Sequence, residues 1–160
     1  MVAAIGLVAI LVMAGLALTP VTLVAVTGER DRSMVCARAV RNSTITLTFT
    51  HSMYGGDVIE TFQPTGAGTL LRTSILADQA AAAEYYAWDG QVEPIGERFE
   101  VVVPDQEFAA LPVRVDQIGA HRLTIDGWRV DLATMVDGSE GVRLALVTRP
   151  LATHLLGMGC

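Results

Sequence analysis

The chain has 160 residues, 51% of them hydrophobic, and seventeen acidic against eleven basic side chains leave a net charge of −6. So apolar a chain is not intrinsically disordered, and an acidic balance repels phosphate, which argues against a nucleic-acid partner. A single long apolar run, rather than several, argues against a multi-span channel.

That run comes first. Val2 to Val26 carries no charged residue and is broken only by Thr19, Pro20 and Thr22. About 20 apolar residues span a bilayer core, and membrane helices tolerate proline. A cleaved signal peptide would show a basic start and a shorter apolar core. The expectation is therefore a retained transmembrane anchor over 1–27, contacting the membrane through 2–26. Arg30, Arg32, Arg38 and Arg41 follow it, which by the positive-inside rule would place the remainder in the cytoplasm.

After the anchor the chain reads as strands. Met34–Val40 is the first candidate. Ser43–Thr50 alternates strictly, with Ile45, Leu47 and Phe49 on one face and threonines on the other, the pattern of a half-buried strand. Asp57–Gln63 alternates again. Leu70–Leu76, Phe99–Val103, Leu111–Gln117 and Val142–Thr148 are further strands. Ala77–Trp88, Ala-rich and too long for a strand, is the one helical stretch. His121–Ile125 and Trp128–Leu132 flank Asp126-Gly127, a preferred hairpin pair. That turn sets Ile125 opposite Trp128, Leu123 opposite Val130 and Arg122 opposite Asp131. The expected fold is all-β: a sandwich or open barrel of about eight or nine antiparallel strands with one short helix. It would occupy 28–149, behind the transmembrane helix, with an apolar tail over 150–160.

Cys36 and Cys160 are the only cysteines. They are a candidate disulfide, which would need an oxidising compartment; the alternative is two unlinked thiols, Cys36 buried as a small hydrophobe. Their spacing is not that of a metal site.

One polar cluster stands out. If Gly55-Gly56 forms a two-residue turn, His51 pairs with Glu60 on an otherwise apolar face. A buried carboxylate is costly unless paired, so the two could be a self-satisfied structural pair. The functional alternative is a site for a small ligand or cation built from His51, Ser52, Tyr54, Asp57 and Glu60, or an acid–base pair. Ser52 and His51 are adjacent in a strand and point to opposite faces, so they form no catalytic dyad. No nucleophile elbow is present, no phosphate loop, and no cofactor motif. The expectation is a non-enzymatic protein without metal or cofactor. His121 reads as a core or turn histidine, His154 as part of the apolar tail, and Tyr85, Tyr86 and Trp88 as packing on the sheet, lining a pocket or lying at a membrane surface.

The segment Phe49–Phe62, with its His51-Ser52, short turn and Val58-x-Glu60-aromatic order, resembles the hallmark of the bacterial domain of unknown function 1850 family. The resemblance extends at pattern level over about 33–148. It departs from the family where Ala80–Tyr86 replaces a Gly- and Pro-containing stretch. It implies a gene neighbourhood with TAXI-type tripartite (TRAP) solute transporters. On that basis the expected function is a membrane-anchored accessory protein of such a transporter, single-pass in the bacterial membrane with its domain extracytoplasmic. A TRAP membrane subunit is then the expected partner. The alternative is an extracytoplasmic binding module for a small solute or cation using the His51/Glu60 hairpin.

Overall fold

A computed structural model describes residues 15, 17–88, 90–102, 104–156 and 160. Among them are twelve strands and two short helices. The smaller sheet runs β2 (Ser33–Arg38), β1 (Pro20–Thr27), β12 (Ser139–Pro150), β9 (Leu111–Asp116). The larger runs β11 (Trp128–Asp131), β10 (Arg122–Ile125), β3 (Ile45–Thr50), β4 (Asp57–Pro64), β5 (Leu70–Ala77), β7 (Arg98–Val102), β6 (Gln91–Ile95). A short β8 (Gln106–Phe108) pairs with part of β5. Every pairing is antiparallel, and neither sheet closes into a barrel.

The largest correction concerns the apolar run. Residues 20–27 are not the end of a membrane helix but strand β1, hydrogen-bonded between β2 and β12 in unbroken register from Pro20↔Pro150 to Thr27↔Arg143. Leu23, Val24 and Val26 have no exposed surface. A strand buried on both faces has no alternation to display, so it reads as a continuous apolar stretch. Among the described residues no helix is long and apolar enough to cross a membrane. Residues 1–14 and 16 of the expected span lie outside the described residues. The anchor over 2–26 is overturned. With it fall the single-pass topology and the reading as a membrane-anchored TRAP accessory docked on a membrane subunit.

The other differences are smaller. The strand count exceeds eight or nine because β1 was hidden, β8 has three residues, and β6 carries Pro94. That proline is tolerated because β6 is a sheet edge. The helical stretch narrows to α1 (Ala80–Ala87), stopped at Trp88, whose φ is +50°. The apolar tail contains a second helix, α2 (Leu151–Leu155). Cys160 forms a disulfide with Cys36, Cα–Cα 5.6 Å.

The Asp126-Gly127 hairpin has the expected register. Its turn residues take φ +47° and +86°, and Asp126 pins the tip by accepting from Ser43 Oγ at 2.6 Å and Thr44 N at 2.9 Å. Arg122 faces Asp131 in the ladder, yet its guanidinium reaches over β3 to Asp57 at 2.6 Å.

Two apolar layers cover one face of the larger sheet. The smaller sheet packs on the half around β10 and β3, burying Val24, Val26, Ile45, Leu123, Val115 and Leu144. Helix α1 covers the half around β5 and β7, with Ala82, Ala83 and Ala87 against Val58, Ile75 and Val101. The two cores are separate, and Phe49 touches both.

Candidate functional site

A sheet covered by two separate layers has a seam between them. β9 is the outer strand of the smaller sheet, and the seam lies between it and α1. Two adjoining clefts open there, of about 230 and 220 Å³, and both are lined by Phe49, Tyr86, Arg114 and His121. His51, Ser52, Met53, Tyr85 and Asp116 complete the first; Leu47, Glu60 and Leu111–Val113 complete the second.

Glu60 does not pair with His51. The loop after β3 occupies residues 51–56 rather than the two glycines, so the ladder runs Thr50↔Asp57, Phe49↔Val58, Leu47↔Glu60. The loop closes on itself: His51 N donates to Gly56 O at 3.0 Å and Gly55 N donates to His51 O at 2.9 Å. The change of register is even, so Glu60 keeps its place on the inner face, buried at 8% exposure.

The partner of Glu60 comes from a bulge. β4 and β5 run Glu60↔Ile75 and Thr61↔Ser74, then shift to Phe62↔Arg72. Thr73 is the extra residue, its hydroxyl donating to Thr61 O. In unbroken register Arg72 would pair with Gln63 on the outer face; the bulge turns it inward. Its Nη1 donates to Glu60 Oε2 at 3.4 Å and its Nη2 to Gln106 Oε1 at 2.7 Å. The guanidinium lies 5.4 Å from the Phe108 centroid, while its Nε is buried without a partner among the described residues. Burial pushes the Glu60 carboxyl above its usual range, against the opposing pull of Arg72.

His51 is fixed by its own loop. Met53 N and Tyr54 N donate to its Nδ1 at 3.2 and 3.3 Å. An Nδ1 that accepts leaves the proton of the neutral ring on Nε2, a donor. The ring stands nearly perpendicular to Tyr85 and Tyr86, at 79° and 84°. His121 is also buried. Its ring stacks on Phe49 at 5.3 Å, and burial lowers its pKa, the nearby Asp116 opposing. Gly119 permits this placement: a Cβ there would collide with the His121 ring. Tyr86 is pushed up to about 12 by burial, then by Glu60 and Tyr85, so its phenol stays protonated.

The five residues expected to form one site divide. His51 and Ser52 line the first cleft and Glu60 the second. Tyr54 is exposed and lies against the His51 ring, centroids 5.0 Å apart. Asp57 leaves the group: it points to the outer face, bound to Thr50 Oγ1 and Arg122. Among the described residues no three His, Cys, Asp or Glu side chains converge to hold a metal. Arg72 and His121 were missed. No local pattern marks a bulge, and His121 precedes two core residues at period two, which reads as packing. Tyr85 and Tyr86 line the cleft, one of the placements their sequence left open.

The family model described as a domain of unknown function, DUF1850, matches residues 45–132, a span that contains every residue lining the two clefts. No curated protein and no solved structure matches the chain. Nothing in these comparisons supports the expected gene-neighbourhood link to TAXI-type transporters. With its His51-Ser52 loop, its Glu60 strand and the hairpin after His121 all inside the matched span, the chain belongs to the DUF1850 family.

Proposed function

We propose that the protein is a binding module for a small solute, without a chemical step of its own, and that the seam between β9 and α1 is its site. The observation that carries this reading is the polar lining of a gap in an otherwise apolar interior. A buried carboxylate, two buried histidines and a tyrosine pair line open space. Binding sites characteristically combine apolar walls with a few convergent polar groups. The fixed Nε2–H tautomer of His51 and the protonated Tyr86 phenol supply donors, and Glu60 supplies an acceptor.

A thermal-shift screen of the full-length protein against small solutes tests this. A ligand at 100 times its Kd stabilises the folded state by about 2.7 kcal/mol. We expect at least one solute to raise the wild-type Tm, and His51→Ala or Tyr86→Ala to abolish that rise. No hit in the screen, or hits that raise both variants equally, would remove the site.

A further inference from the structure

We propose that the solute is a small organic ammonium ion, its charge seated against the Glu60 carboxylate and over the rings of Phe49, Tyr86 and His121. This rests on the reading of the seam as a binding site and names the chemistry of what enters it.

The rings form a corner. Phe49 and His121 are nearly parallel, at 17° and 5.3 Å between centroids. Tyr86 stands at 69° to Phe49, 6.1 Å away. Tyr85 meets Tyr86 at 81° and 5.5 Å. A cation is attracted to ring faces within about 6 Å, and walls at a steep angle offer it more than one face. None of these rings carries a charge that opposes a cation: burial keeps His121 neutral and Tyr86 protonated.

Glu60 lines the same cleft as Phe49, Tyr86 and His121. It is more than nine-tenths buried. Its hydrogen bonding among the described residues is a single long contact from Arg72 to one oxygen, Oε2. Arg72 also binds Gln106 and lies over Phe108, so it is shared. A buried carboxylate this poorly satisfied has capacity for further donors, and an ammonium supplies both N–H groups and charge. A quaternary ammonium supplies charge alone. The remaining charged side chains at the seam lie on β9: Asp116 accepts from Gly119 N, and Arg114 donates its Nε to Ser139 Oγ. Leu47, Leu111 and Val113 provide apolar surface for the body of the ligand. An inorganic cation would instead need several oxygen or nitrogen ligands.

The test is isothermal titration of the full-length protein with choline and 2-phenylethylammonium, each against its uncharged isostere, 3,3-dimethyl-1-butanol and 2-phenylethanol. We expect the cations to bind at least tenfold tighter than the alcohols. Glu60→Gln should lower cation affinity at least tenfold and leave the alcohols unchanged, and Tyr86→Leu should weaken both cations. The cation-to-alcohol ratio is read on the wild type, so it decides even if Glu60→Gln fails to fold. Equal affinities would overturn the ammonium assignment while leaving a solute site. So would silence from both cations when the wider screen finds another ligand. No ligand from any source would remove the assignment and the site together.

Discussion

Replacing Cys36 and Cys160 together with serine lowers the stability of the domain by about 4 kcal/mol, the value expected for a long cross-linked loop. The bond joins residues 124 apart in sequence, so it removes much of the freedom of the unfolded chain. Cys36 sits on β2, directly opposite Ala25 of β1. The bridge therefore holds Cys160 against the strand pair whose apolar sequence resembles a membrane segment. Urea denaturation of the oxidised wild type and of the double variant measures the difference. The variant should also show a larger m value, because its unfolded state is no longer cross-linked. Wild type kept in a strong thiol reductant should behave like the variant. Equal midpoints and slopes in all three samples would contradict the prediction.

Arg72→Met costs about 3 kcal/mol at neutral pH, because it leaves Glu60 buried without its cation. The pH dependence identifies the cause. Burial already raises the folded-state pKa of Glu60 above its ordinary 4.5, and Arg72 is what lowers it. Removing Arg72 raises it further. In the window between 4.5 and that raised value the folded protein binds a proton that the unfolded chain has lost, so stability falls as pH rises. The penalty of Arg72→Met should accordingly be smallest near pH 4 and grow toward neutrality. His121 works in the opposite sense: its folded-state pKa is depressed below 6.5, so its contribution is lost as pH falls through that range. Wild type and Arg72→Met share this background, and the difference between them isolates Glu60. Adding Glu60→Gln to Arg72→Met should restore most of the loss. A cost independent of pH, or no recovery in the double variant, would show that Arg72 acts through packing on Phe108 instead.

Alternation on β3 and β4, the Asp-Gly hairpin and the Ala-rich helix are local signals, and each element forms where its sequence places it. β1 was not legible because burial of both faces erases the period that separates strand from helix, and length then favoured a membrane span. The Gly55-Gly56 pair was misleading in a different way. Both glycines do take positive φ, but inside a longer loop whose closure depends on His51 backbone groups. The parity of the register survived and placed Glu60 inward. Its partner did not, since a bulge on β5 exchanges the faces of every residue before it. The seam itself is a tertiary feature. It exists because α1 and the smaller sheet each cover part of the larger sheet, and nothing local in His121 or Tyr86 announces that gap.

Nitrogen–proton correlation NMR of the full-length protein during titration with 2-phenylethylammonium bears most directly on the seam. Saturable shifts should cluster at His51–Tyr54, Glu60, Tyr85–Tyr86 and Gly119–His121, with the outer face around Asp57 and Arg129 unmoved. Shifts confined to that outer face, or none at ligand concentrations that saturate the calorimetric titration, would contradict a site between β9 and α1.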